Sequence, residues 1–294
     1  MMKNNTVFFS RFYRKEGAIL QYANLADSHT HSCFSHDGHH AVAALCDQAI
    51  KRGLYALTVT DHCECNLYQQ GNYAQAITRS FAETARTATA FAGKLHVYKG
   101  VELGQATQNT RAAADILSRC DFDFVLGSMH NLTGLSDFYM LDYRKLSAHD
   151  VLCKYFDELE ELIAWGHFDS LSHLTYPLRY MVGEQQIEMR YETYQNRVDD
   201  ILKALIAQDK ALELNTSGLR QAIGKTLPCP TVIKRFKELG GKYLTVGSDA
   251  HKDKDIGIGL QEGYEIAKNA GFDHVTVFVN RKPVLLPLQE KTNL

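Results

Sequence analysis

Leu25-Ala26-Asp27-Ser28-His29-Thr30-His31 runs a short apolar lead straight into side chains that bind metals and protons. Side chains alternate in face along an extended strand, so His29 and His31, two apart, point to the same side. Two imidazoles placed like this hold one divalent ion or two adjacent ions; a pair of core histidines is the plainer alternative. Asp27 is expected to be an acceptor behind them. The same construction recurs along the chain at Thr60-Asp61-His62, Gly100-Val101-Glu102, Ser128-Met129-His130, Ser172-His173, Glu213-Leu214-Asn215 and Ser248-Asp249-Ala250-His251. Each closes a stretch that reads as a buried strand.

Candidate strands near 25–29, 54–60, 95–101, 122–127, 168–172, 210–214 and 243–248 alternate with helical stretches near 40–52, 73–92, 108–119, 148–165, 185–208 and 230–239. Strand-helix alternation demands a parallel sheet with right-handed crossovers, and seven repeats allow that sheet to close into a barrel with the helices outside. Ligand-type residues at seven strand ends fit the carboxyl-terminal face of a barrel. An open doubly wound sheet would gather them at one switch point. A further strand, His274 to Val279, is expected to pack at the edge or close the barrel. Residues 1–24 form an N-terminal extension before a single barrel domain over 25–294. The longer loops near 131–147 and 174–184 carry Tyr139, Asp142, Tyr143, Arg144, Tyr176, Pro177 and Arg179, and rim loops of this kind choose the substrate.

A formal net charge of -2 and a pI near 6.7 give no broad attraction to nucleic acid or anionic lipid, which points to a small-molecule partner. No apolar stretch is long enough to span a bilayer and no signal-peptide core opens the chain, so a cytoplasmic protein is expected. Seven cysteines without a C-x-x-C pair argue for reduced thiols rather than a disulfide framework. Cys63 and Cys65 flank Glu64 directly after His62. They read as bystanders beside a metal centre more readily than as a soft-metal pair.

Each candidate has an alternative reading. Asp61 could cap a helix and leave His62 exposed. Lys99 could be a surface partner for Glu102, whose position at a strand end suits a carboxylate that bridges two cations. His130 and His173 gain weight from shared placement. His39, His40, His96, His149, His167 and His274 lack it and read as structural or solvated. His29, His31, Asp37, His62, Glu102, His130, His173, Asp249 and His251 make nine candidate ligands, more than one tetrahedral ion can use, so two or three divalent metal ions are implied. Such a cluster ionises water near neutral pH and neutralises phosphate oxygens, which makes phosphoester hydrolysis the derived reaction. Arg179 and Arg220 supply candidate guanidinium groups for the phosphate, with surface salt bridges as the alternative.

The set His29-Thr30-His31-Ser32, Thr60-Asp61-His62, Gly100-Val101-Glu102, Gly127-Ser128-Met129-His130, Gly166-His167-Phe168-Asp169 leading to His173, and Gly247-Ser248-Asp249-Ala250-His251 resembles the PHP (polymerase and histidinol phosphatase) family. Glu213-Leu214-Asn215-Thr216-Ser217-Gly218-Leu219-Arg220 and the overall length resemble its histidinol-phosphatase branch. That resemblance implies a distorted (β/α)7 TIM-like barrel and a trinuclear Zn, Mn or Fe site, with Asp37 rather than His36 as the third ligand of the first motif. It also implies conversion of L-histidinol phosphate to L-histidinol and inorganic phosphate in histidine biosynthesis, with a metal-bridging hydroxide as nucleophile. Asp142, Tyr143, Tyr139 and Tyr176 are the expected contacts to the organic part of the substrate.

Three rivals compete with this reading. Another PHP phosphoesterase would act on nucleotides or other small phosphate esters, although the near-neutral charge disfavours long polymers. An amidohydrolase would need a bridging lysine, where Glu102 stands here. A regulatory module would bind metal without turnover, against which the complete ligand set argues.

Overall fold

The computed structural model describes residues 22–290, so Met1 to Gln21, which is most of the expected N-terminal extension, lies outside the described residues. The core is a run of parallel strands: β1 (Ala26–Thr30), β2 (Ala56–Val59), β3 (His62–Glu64), β4 (His96–Gly104), β5 (Phe124–Ser128), β6 (Ser170–Leu171), β7 (Ala211–Asn215) and β8 (Leu244–Gly247). Their order is β1-β2-β4-β5-β6-β7-β8, with β3 on β4. β4 is long because it serves two partners. Its first half pairs with β2 and its second half, from Glu102, pairs with β3, so β2 and β3 together make one stave.

Closure falls between the first and last staves. Asp249 N–H donates to the His29 carbonyl at 2.8 Å, and His31 N–H donates to the Ala250 carbonyl at 2.9 Å. The result is a seven-stave barrel, which the strand-helix alternation allows, and it is distorted in two places. The β1–β2 register shifts between Asp27 and Thr30, and β6 pairs through only two residues.

Helices α1 (Val42–Lys51), α2 (Tyr73–Ala90), α3 (Thr110–Arg119), α4 (Ala148–Trp165), α5 (Tyr191–Ala207), α6 (Pro230–Glu238) and α7 (Leu260–Asn269) lie outside. Each presents an apolar stripe inward. On α4 the buried set Val151, Leu152, Tyr155, Phe156, Leu159, Leu162 and Ile163 recurs at three- and four-residue intervals. Helix α4 starts where Ser147 Oγ accepts from Asp150 N–H, and ends at Gly166 in the left-handed region. No helix among the described residues is long and apolar enough to cross a membrane.

Two features depart from expectation. α7 was not foreseen, because Gly263 stands mid-helix and weakens the pattern. That glycine permits close packing, since a Cβ there would lie 2.9 Å from Val246 Cγ1 on β8. The strand from His274 neither joins the barrel edge nor closes it. As β9 (His274–Val279) it forms an antiparallel hairpin with β10 (Lys282–Pro287) beneath the amino-terminal end of the barrel. The turn residues Asn280 and Arg281 both have positive φ, which matches the twist of a two-residue hairpin. Phe278 stacks on Phe124 at 5.2 Å, and Leu126 and Ala211 complete this small cluster, which plugs the barrel floor.

Candidate metal centre

The polar ends of β3 and β4 and the segments after β1, β5, β6 and β8 line one cavity of about 550 Å³, and the ends of β1 and β7 lie behind them. β1 is buried along its whole length despite reading Ala-Asp-Ser-His-Thr. Burial of so many polar atoms requires partners for them. His29 Nδ1 finds Glu213 Oε1 at 2.7 Å and His31 Nδ1 finds Ser35 Oγ at 3.2 Å. Their Nε2 atoms are buried without an aligned hydrogen bond, as are Glu102 Oε2 and His62 Nδ1, which lie 2.8 Å from each other.

These atoms face one another at ligand spacing. His29 Nε2 and His31 Nε2 lie 3.3 and 3.6 Å from Glu102 Oε2, and 3.7 and 3.4 Å from Asp249 Oδ1. The edge of a tetrahedron around an ion with 2.0–2.1 Å bonds is about 3.4 Å. A second set has His251 Nε2 at 3.4 Å from His62 Nε2 and 3.2 Å from Asp37 Oδ2, with Asp37 Oδ1 3.6 Å from His62 Nε2. In the third, Glu102 Oε1 lies 3.1 Å from His130 Nε2 and 3.0 Å from His173 Nε2, which are 3.3 Å apart. Glu102 thus turns one oxygen to each of two groups. All nine residues named from the sequence meet here. His36 does not share their geometry: its side chain is 61% exposed, its ring lies 5.3 Å from that of His62, and its Nε2 comes no nearer than 3.9 Å to the Asp37 carboxylate.

Electrostatics follow from this crowding. Burial opposes charge on His62, but the Glu102, Asp37 and Glu64 carboxylates outweigh it and hold its pKa up at about 9. His29 and His130 are raised well above the ordinary imidazole value for the same reason, with Glu213 and Glu64 their strongest carboxylate partners. Burial drives His31 down, helped by the His251 and His62 charges. Burial pushes the Glu102 and Asp249 carboxyls up, yet the surrounding histidines hold both well below the ordinary range.

The residues behind the cluster include several that the sequence reading passed over. Asp27 accepts from the Ser248 and Gly257 N–H groups and ties β1 to the segment after β8. Asp61 is no helix cap: it accepts from Ser32 N–H, Ser32 Oγ, Ser35 Oγ and Ser80 Oγ and shapes the turn after His31. Lys99 pairs with Asp123 at 3.3 Å, because an odd spacing from Glu102 sends it to the other face of β4. Glu64 binds His130 Nδ1 at 2.9 Å, and its spacing of two from His62 on β3 was the signal that could have revealed it. Glu213 holds His29 through one oxygen and accepts His173 N–H through the other at 2.7 Å. Gly247 leaves room for this packing, because a Cβ there would lie 2.4 Å from His29 Cβ and 2.6 Å from Glu213 Oε1. Cys63 and Cys65 are buried, and no candidate ligand group among the described residues includes a cysteine.

Arg179 opens a π-helical turn (Arg179–Glu184) at the cavity wall. Its Nη2 donates to Ser217 Oγ at 2.8 Å and Asp249 Oδ2 at 3.1 Å, the guanidinium lies over Tyr176, and the buried Nε has no partner. Arg220 does not line the cavity. It stands behind Asp249 with Nη2 on the Ser248 and Asp249 carbonyls, while its Nη1 is buried without a partner. Among the expected substrate contacts, Tyr139 and Tyr176 line the cavity. Asp142 instead pairs with Arg144 and Lys145 at the surface, and Tyr143 O–H donates to the Phe138 carbonyl, because the loop turns both away from the opening.

The model of the PHP domain matches residues 27–217, more than half of the chain. This chain belongs to the PHP domain family. Among similar curated proteins, the probable histidinol-phosphatase of Clostridium acetobutylicum is 29% identical over 85% of this PHP chain and 95% of its own length. The histidinol-phosphatase of Lactococcus lactis is 26% identical, over 87% and 95%. The crystal structure of a histidinol phosphate phosphatase from Lactococcus lactis, complexed with zinc, L-histidinol and phosphate, superposes with a TM-score of 0.75 at 24% identity, covering 89% of this chain and 99% of the other. Its fold is the fold seen here.

Proposed function

We propose that this PHP protein is a histidinol-phosphatase: a metal-dependent phosphomonoesterase that converts L-histidinol phosphate and water to L-histidinol and inorganic phosphate. The observation that carries the metal chemistry is the set of buried atoms His29 Nε2, His31 Nε2 and Glu102 Oε2, facing one another without an aligned hydrogen bond between them. Leaving them bare would cost several kcal/mol, on the order of 1–3 for each unmade hydrogen bond. A cation relieves all three at once. Two relatives, covered over 95% of their length, carry the histidinol-phosphatase name, and the structurally similar Lactococcus protein was captured with zinc, histidinol and phosphate.

His29, His31, Asp249 and Glu102 would hold one ion, Asp37, His62 and His251 a second, and Glu102, His130 and His173 a third. The imidazole and carboxylate donors suit Zn, Mn or Fe. When bound, such ions lower the pKa of water and neutralise phosphoryl charge. Glu213 and Glu64 fix the tautomer and ring orientation of His29 and His130. Arg179 offers its free Nε–H to a phosphate oxygen and shields Asp249 from the phosphate charge, and Arg220, held on the Ser248 and Asp249 carbonyls, adds positive charge from behind Asp249. Tyr176, packed against His130, His173 and Arg179, excludes water on one side, and the exposed Tyr139 and Met140 supply an apolar rim. The reaction is read as cytoplasmic.

Phosphate release by the metal-loaded protein should be measured for histidinol phosphate beside a nucleoside monophosphate and a generic aryl phosphate. The reading requires kcat/KM for histidinol phosphate to lead by orders of magnitude. Comparable values for all three would leave a metal phosphoesterase without this substrate assignment.

A further inference from the structure

Five carboxylates line the cavity, and four of them face a cation or a histidine: Asp37 faces His62 and His251, Glu64 faces His130, Glu102 faces five imidazoles, and Asp249 pairs with Arg179. Asp137 is the exception. Among the described residues no cationic group lies within ion-pair distance of it, and its Oδ1 accepts a hydrogen bond from the Tyr139 N–H of its own turn at 3.0 Å. The carboxylate is nevertheless held in place. Phe138 N–H donates to the His130 carbonyl at 2.9 Å, and Asn131 and Asp137 form an antiparallel bridge, so the turn is tied to the chain just beyond β5. Burial pushes its carboxyl up and outweighs the more distant His130 and His62 charges, which pull it down.

We infer that Asp137 is the specificity residue for the organic part of the substrate, accepting the protonated primary amine of an amino-alcohol phosphate ester while the phosphate end lies against Arg179. The inference rests on the histidinol-phosphatase reading, in which the ammonium sits one carbon from the CH2–O–P linkage. A phosphate held at the cluster then places the ammonium beside the cluster, on the flank where the turn after His130 presents Asp137. A single carboxylate with one free oxygen suits an ammonium, which offers three donors, and not a further metal ion, which needs several hard ligands.

The test compares kcat/KM for histidinol phosphate with that for the same ester lacking the amine, in the metal-loaded wild type, in Asp137→Asn and in Asp137→Ser. The serine variant retains an oxygen for the Tyr139 N–H. Removing a charge-assisted hydrogen bond in a partly desolvated site should change selectivity by about 30-fold or more. The expected result is a wild type that prefers the amine-bearing ester by at least that factor. Both variants should lose most of this preference through KM, with metal content retained. If the wild type shows the preference and the variants keep it, Asp137 is not the amine's partner, while the functional reading survives. An equal loss on both esters, or a wild type that turns over histidinol phosphate without distinguishing its amine-free counterpart, overturns the assignment as well. Failure of the wild type to hydrolyse histidinol phosphate efficiently removes the parent reading and this inference with it.

Discussion

His29 Nδ1 lies 2.7 Å from Glu213 Oε1, and neither side chain has any solvent-exposed area. An imidazole with one nitrogen on a carboxylate presents the other, unprotonated, to an ion. The contact joins the first stave to the sixth, so one hydrogen bond both orients a ligand and braces the barrel. Glu213→Gln should therefore lower metal affinity by about 10–100-fold while the barrel still folds. Chelator competition measures this, and unaltered affinity would show that the carboxylate is only structural.

Gly247 is adjacent to that pair. Placing a methyl group 2.4 Å from His29 Cβ forces β1 and β8 apart, because the neighbour is a backbone-anchored atom and not a flexible side-chain end. Gly247→Ala should cost about 1–3 kcal/mol by overpacking. It should also reduce bound metal, since His29 moves with its strand. Thermal denaturation and metal analysis on the same sample give both quantities.

Arg179 separates phosphate binding from metal binding. Arg179→Ala should lower kcat/KM by about two orders of magnitude with metal stoichiometry intact, since the guanidinium contacts Asp249 by its outer oxygen while Oδ1 faces His29 and His31. A kinetic profile matching the wild type would exclude it from the phosphate site. Arg179→Lys should recover only part of the loss, because an ammonium that replaces Nη2 on Ser217 and Asp249 leaves no second, Nε–H donor for the phosphate.

Metal loading should release protons. Burial opposes charge on His62, but neighbouring carboxylates raise its pKa from 6.5 to about 9, so at pH 7 the metal-free protein holds this proton and a cation must displace it. The His62 contribution to apparent affinity should climb with pH and level off above about 9. The sign for stability is opposite: a raised folded pKa stabilises the metal-free protein fully below 6.5, and this contribution is lost as pH rises through about 9. Calorimetry in buffers of different ionisation enthalpy counts the protons. Metal uptake without proton release at pH 7 would contradict the charge state assigned to His62.

Strand-helix alternation and the placement of ligand types at strand ends were legible because both are periodic properties of the chain. His29 and His31 share a face by simple alternation, and an apolar lead followed by histidine marks a buried strand that stops at the rim. The same alternation placed Glu64 two residues from His62, but the short break between β2 and β3 hid it. α7 and the hairpin under the barrel were not legible in full. A mid-helix glycine weakens the helical pattern, and an apolar strand carries no mark of whether it joins a barrel or plugs its floor.

The sequence by itself determined the order of staves, the family, and the kinds of donor atom that each strand end delivers, since these follow from periodicity and residue chemistry. Only the tertiary structure decided which donors meet. It set the Asp37 carboxylate against both His62 and His251, divided the two oxygens of Glu102 between neighbouring groups, turned Asp142 and Tyr143 away from the opening, and left Asp137 beside the cluster with no ion-pair partner among the described residues. Distances between side chains remote in sequence depend on how the barrel closes and how its loops fold back over the rim, and no local pattern along the chain encodes them.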